Sequence, residues 1–215
     1  NHTIPNPGGH FAAFKTPDTA GPDTLNAVYS ALLGGLRLAP GHRANLRDRG
    51  LTDAEIDRRG YRTLPGGTGE AWALRDRVAD SLYYHHGPDT LSLIPGLWFD
   101  TWERRWHIAG PYGLLVPVRD AVGRISALRI RLDAPERKKS GGYSAKYRWL
   151  SSSSRNGPKV ATRCHVPLTG SAWNRRTVRI TEGELKADIA TALQPEILTL
   201  GIGGVGQHKQ AIEAL

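Results

Sequence analysis

The chain has 215 residues, with 39% hydrophobic and 23% charged residues and a net charge of +9. That is enough for one large domain or two small ones of soluble, polar-looped composition. No apolar run comes near the roughly 20 residues that cross a bilayer. The one cysteine, Cys164, excludes an internal disulfide framework and suits a reducing, cytoplasmic compartment. Charge is spread unevenly: the segment from Thr181 onward carries −3, leaving +12 on the first 180 residues. A basic body beside an acidic corner fits a polyanionic partner, DNA or RNA, with the corner free to hold a divalent cation. A soluble basic surface with no such partner fits the total equally well. There is no methionine, and the last residues, Gln207 to Leu215, read as a helix cut short; a piece of a longer protein is expected.

Residues 1–24, rich in proline and glycine, read as an arm rather than a core segment. Residues 25–110 read as a helical portion. A helix is predicted over Leu25–Leu33, closed by Gly34-Gly35, and another over His42–Arg49. Thr52-Asp53-Ala54-Glu55 is a capping box opening a third, which Gly60 closes. Its neighbourhood holds Arg43, Arg47, Arg49, Arg58, Arg59 and Arg62. A DNA-gripping helical bundle is conceivable, and a solvated one balanced by Asp48, Asp53, Glu55 and Asp57 is the more ordinary expectation. Leu74, Val78 and Leu82 mark a helix over Glu70–His86. The aromatic run from Leu93 to Trp106 reads as a connector whose tryptophans either seal a core or stack on bases.

From Gly113 the period changes to two. A central, mostly antiparallel β portion is predicted over residues 111–170. Its strands are Leu114–Val118, with Pro117 marking an edge or bulge, then Arg124–Asp133 and Lys146–Leu150. If the last two pair, Arg129, Arg131, Lys146 and Arg148 share one face, with Lys138 and Lys139 at its tip, as a phosphate-binding surface or simply a solvated one. Cys164 and His165 are sequence neighbours without a second pair, so no zinc site is expected there.

Residues 171–215 carry the sharpest signal. Thr177–Thr181 is a β-branched strand, Gly183 a turn, and Leu185, Ile189 and Leu193 one stripe of a helix. A second strand, Glu196–Ile202, follows at the distance of a right-handed parallel βαβ unit. Glu182 and Glu184 flank the strand-to-helix turn, the edge of an open α/β sheet where ligands gather. Gly201 to Gly206 fits G-x-G-x-x-G, so a dinucleotide site is an alternative, although its acidic ribose partner has no place in the sequence.

Glu182-Gly183 followed by Lys186-Ala187-Asp188 resembles the first motif of Toprim domains of bacterial primases and topoisomerases. Five stretches resemble, in order, a family of unknown function from plasmid, phage and integrative-element replication proteins. They are Arg49–Ile56, Gly60–Leu64, Gly113–Asp120, Lys146–Ser151 and Thr181–Gly183. The resemblance implies an α/β fold ending in a partial Toprim-like βαβ half, and a primase-like role beside a fused or associated helicase or polymerase. It further implies Mg²⁺-assisted phosphoryl transfer, with Glu182 as the acid/base or metal-placing carboxylate and Lys186 and Asp188 in support. Toprim catalysis also uses an Asp-x-Asp on a later strand. The sequence contains none, so this piece alone is expected to lack nucleotidyl transfer. The remaining alternative is a non-catalytic DNA- or RNA-binding module.

Overall fold

The structure is a computed structural model and describes residues 18–66, 69–134, 141–142, 145–161, 164–169 and 177–204. The N-terminal half contains α1 (Pro22–Gly34), α2 (Pro40–Asp48), α3 (Asp53–Arg59), β1 (Arg62–Leu64) and α4 (Glu70–Ser92). Proline opens both α1 and α2, where its missing N–H is no loss. Thr52 caps α3 by accepting the Glu55 N–H at 3.2 Å. The Glu55 carboxylate, however, turns to Arg58 and Arg59 instead of completing the box. Backbone helicity in α4 breaks at Gly87, one residue past the predicted end, and resumes after Pro88.

A hairpin, β2 (Leu97–Asp100) and β3 (Arg105–Ile108), replaces the expected connector. Of its aromatics, Trp106 is buried against Leu97 and Ile108, as the core-sealing reading requires, whereas Trp102 stands in solvent. Strands β4 (Gly113–Arg119), β5 (Ile125–Arg131) and β6 (Tyr147–Trp149) then join β1 in an antiparallel sheet of order β1-β4-β5-β6. β1 pairs only with Gly113 to Leu115, and the β4–β5 register shifts after Val118. Pro117 is thus placed beyond the end of β1 and next to an irregularity, where its missing donor is tolerated.

Alternation sorts the two faces of this sheet. Leu115, Leu128 and Ile130 pack with Val28, Leu32, Leu82 and Leu91 of α1 and α4. On the opposite face Leu114 and Val116 pack with Leu46, Leu51, Ile56 and Tyr61 around α2 and α3, and with Leu185. Leu185 belongs to the C-terminal unit: β7 (Val178–Glu182), α5 (Glu184–Leu193) and β8 (Leu198–Ile202), with β7 and β8 parallel. The predicted fold class, helices with an antiparallel sheet and a parallel βαβ pair, is the fold observed.

His165 stitches the two β systems together. It exchanges both backbone hydrogen bonds with Gly201 of β8, at 2.7 and 2.8 Å. Its ring Nδ1 lies 3.0 Å from the Arg119 amide of β4, and the Arg119 carbonyl accepts from the Val166 N–H at 2.9 Å. No helix among the described residues is long and apolar enough to cross a membrane.

Candidate nucleic-acid interface

β7 ends at Glu182, opposite Ile202, with the carboxylate side chain exposed. The chain then turns through Gly183 at φ 94°, ψ 137°, a conformation that excludes side-chain-bearing residues, and enters α5. Its N–H donates to the Ile202 carbonyl at 2.8 Å, which pins the turn to the end of β8. Glu182 therefore stands at the C-terminal edge of a parallel pair, as the sequence placed it, and Lys186 is exposed within the first turn of the helix.

The buried face of α5 differs from the predicted stripe. Leu193 is 61% exposed, whereas Glu184 (1%) and Asp188 (2%) are buried with Leu185, Ala187 and Thr191. The hydropathy pattern missed this because each acid meets an arginine brought from a distant element. The Asp188 carboxylate accepts from the Tyr61 hydroxyl at 2.6 Å and from His165 Nε2 at 3.1 Å, and Arg59 Nε lies 3.1 Å away. A further Arg59 nitrogen donates to the Asp188 carbonyl at 3.0 Å.

Because the Arg119 amide can only donate, His165 Nδ1 must accept, and Nε2 carries the proton given to Asp188. Burial works to raise the Asp188 pKa, but His165, Arg59 and Tyr61 together hold it below the ordinary carboxylate value. The Tyr61 hydroxyl is pushed well above its usual range by burial and by the neighbouring Asp188 charge. Asp188, expected beside Glu182 in support of catalysis, is thus turned into the core, where it fastens α5 to α3 and to His165.

The expected phosphate face is divided by strand register. Arg129 pairs with Trp149 and Arg131 with Tyr147, whereas Arg148 pairs with Ile130, and the Lys146 carbonyl accepts from Leu132. Directly opposed residues share a side of a sheet. Arg129 and Arg131 therefore share a face with Trp149 and Tyr147, while Lys146 and Arg148 belong to the other. Lys138 and Lys139 lie outside the described residues. The Arg129 guanidinium stacks over Trp149 at 4.2 Å and lies 5.9 Å from the Tyr147 ring. Its Nε is 3.3 Å from Glu184 Oε1, two residues from Glu182. Arg131 is buried, and burial raises the Tyr147 pKa against the opposing influence of Arg131 and Arg49. Trp149 and Tyr147 are the participants that sequence reasoning missed. Their alternation around Arg148 was the available signal.

Two alternatives meet specific geometry. A Cβ on Gly201 would sit 3.1 Å from Glu184 Cα and 3.2 Å from Ala187 Cβ, so this glycine serves the close approach of β8 to α5. The end of the glycine-rich stretch, Val205 and Gly206, lies outside the described residues. Around α2 and α3 the charges are internally matched: Arg43 with Asp53 and Asp57, Arg47 with Asp53, Arg58 with Glu55. These surface pairs match the more ordinary expectation in part, but Arg59 is buried and reaches Asp188 of α5.

Compared with known proteins, the fold has clear counterparts among solved structures. The RNA polymerase domain of Mycobacterium tuberculosis primase DnaG, solved with a double-stranded DNA oligomer carrying a 6-nucleotide overhang, superposes with TM-score 0.59 at 16% identity. The match covers 88% of this chain and 57% of that one. A DNA primase domain from Pseudomonas aeruginosa matches with TM-score 0.54 at 18% identity over 88% and 57% of the two chains. The zinc-binding and RNA polymerase domains of the Aquifex aeolicus primase match with TM-score 0.55 at 12% identity over 89% and 45%. The chain thus spans about half the length of these primase structures. No protein-family model matches it, and no curated protein does.

Proposed function

We propose that the chain is a primase-like, nucleic-acid-binding part of a mobile-element replication protein, and that β7, α5 and β8 form half of a Toprim-type site. The observation that carries this reading is the joint between the sheets. Arg129, stacked on Trp149, is packed against the first residue of α5, beside the exposed Glu182 at the end of β7. Cation and aromatic platform thus adjoin the turn that presents the carboxylate, as holding a nucleic-acid strand next to a phosphoryl-transfer centre would require. The likeness to primase folds, one of them solved with DNA, supports the same reading.

In the intact protein Mg²⁺ would neutralise phosphate oxygens at this edge. Among the described residues, Glu182 is the one exposed carboxylate at this edge. Glu184 and Asp188 are turned inward onto arginines, and among the described residues no group of three ligating side chains forms around Glu182. One carboxylate is not a metal site, so no catalytic step is assigned to this chain. The same observation favours a second reading, a non-catalytic DNA- or RNA-binding module fused to a helicase or polymerase.

Fluorescence anisotropy of the 215-residue chain with single- and double-stranded DNA, at two salt concentrations and with or without Mg²⁺, tests both. The proposal expects binding that weakens steeply with salt, and a loss of affinity with Arg129→Gln. A Mg²⁺ effect removed by Glu182→Gln would favour the Toprim-type reading. DNA affinity indifferent to Mg²⁺ and to Glu182 would favour the non-catalytic binding module. No binding to either DNA form would overturn the nucleic-acid reading.

A further inference from the structure

Away from this edge, the β2–β3 hairpin gathers three side chains with metal-ligand chemistry. Asp100 and His107 are diagonal neighbours on one face, since Trp98 pairs with His107 and Asp100 with Arg105. Glu103 comes from the connecting loop. One ligand atom from each of Asp100, Glu103 and His107 lies within 4.8 Å of the other two. A tetrahedral ion held at about 2.0–2.2 Å needs its ligands about 3.3–3.6 Å apart, within reach of side-chain rotation.

Acidic clusters are common, and the histidine is what distinguishes this one. His107 is only 5% exposed, yet its buried Nε2 has no hydrogen bond, although Glu103 Oε2 lies 3.2 Å away. An imidazole nitrogen hidden from water and left without a hydrogen bond needs an explanation, and a bound cation is one. The ring is also braced as a ligand would be. Trp98 stacks on it at 4.9 Å and 24°, with Arg155 3.8 Å from the Trp98 ring. Asp76 Oδ1 stands 3.7 Å from Nδ1, the outer position in which a carboxylate orients a metal-bound histidine. Arg105 in turn fixes Asp76 at 3.0 Å. The Asp100 carboxylate is set by the loop: its Oδ1 accepts the Trp102 and Glu103 amides at 2.8 and 3.1 Å.

We infer that Asp100, Glu103 and His107 form a binding site for a divalent cation of the zinc class. The imidazole selects a borderline metal over Mg²⁺ or Ca²⁺, which prefer all-oxygen shells. The site closes the hairpin loop onto its own strands and does not depend on the nucleic-acid reading.

The test is calorimetric titration of the 215-residue chain with Zn²⁺, Mn²⁺ and Mg²⁺, alongside Asp100→Asn, Glu103→Gln and the double variant. Asn keeps the Oδ1 acceptor that the loop amides use, and Glu103 is largely exposed, so neither change removes packing. The site predicts one Zn²⁺ equivalent bound at micromolar or lower concentration, weakened at least tenfold by each single change and abolished by the double one, with Mg²⁺ ineffective. The metal should also raise the melting temperature of the native chain but not of the double variant. Zn²⁺ binding of unchanged strength in the double variant would assign the metal to other histidines and overturn the site. So would failure to bind Zn²⁺ at all.

Discussion

Replacing Asp188 by Asn tests whether the buried contacts of α5 are what hold the βαβ unit to the rest of the molecule. The exchange keeps size and hydrogen-bonding capacity. The Asn carbonyl can still accept from His165, and its amide can face the Tyr61 oxygen. What disappears is the negative charge 3.1 Å from Arg59 Nε, inside a site where aspartate and arginine are each 2% exposed. Breaking a buried pair from one side costs about 3–5 kcal/mol. Glu55 still contacts the Arg59 guanidinium, which puts the expectation at the lower end, about 3 kcal/mol. For a domain of this size that is a drop of about 6–12 °C in melting temperature. Urea and thermal unfolding at pH 7, followed by tryptophan fluorescence and circular dichroism, would measure it. A loss below about 1 kcal/mol would refute the reasoning, since it would mean that the charge contributes little beyond its hydrogen bonds.

Three further outcomes follow from the same geometry. Because the native environment lowers the Asp188 pKa, its stabilisation is fully present above the ordinary carboxylate value of 3.8 and is lost as pH falls through the folded value. Unfolding titrations from pH 7 to 3 should therefore show wild type and Asp188→Asn converging below about pH 4; a constant gap would contradict this. Gly201→Ala should destabilise by about 1–3 kcal/mol, because the new methyl meets Glu184 Cα and Ala187 Cβ at 3.1 and 3.2 Å, and a neutral result would mean that β8 and α5 separate freely. Leu193→Ala should change stability by less than about 0.5 kcal/mol, in keeping with an exposed surface position. A loss of core size, about 2–5 kcal/mol, would restore the stripe read from hydropathy.

Where local chemistry decides, the chain could be read directly. Thr52 and Gly60 bound α3, the period-two run sets β5, and the spacing of two apolar strands around a helix gives the parallel pair. β1 escaped because three residues carry no periodicity, and the β2–β3 hairpin because its turn, Thr101 to Arg104, lacks the glycine or asparagine that marks one. Glu182 at the strand edge was visible in the sequence because a glycine turn after a β-branched run is a local pattern. The buried side of α5 was not. Glu184 and Asp188 are stable inside only because Arg129 and Arg59 arrive from elsewhere, and hydropathy scores a carboxylate as solvent-seeking whatever stands opposite. The phosphate face failed on parity: the side on which Lys146 and Arg148 emerge depends on pairing across a connection whose register the sequence leaves open.

The bridge between His165 and Gly201 also bears on how the parallel pair can be extended. It occupies the outer side of β8 at that point, and runs antiparallel to it. Among the described residues β7 has β8 as its only strand neighbour, so its other edge is open to strand addition. A strand of the same polypeptide that joined there in parallel, after a crossover from β8, would leave Glu182 between crossovers that run in opposite directions. That reversal opens a crevice at the strand ends, the position where doubly wound sheets hold their ligands. The histidine staple occupies the far edge of β8 at Gly201, so at that level the open edge is the one beside the exposed carboxylate.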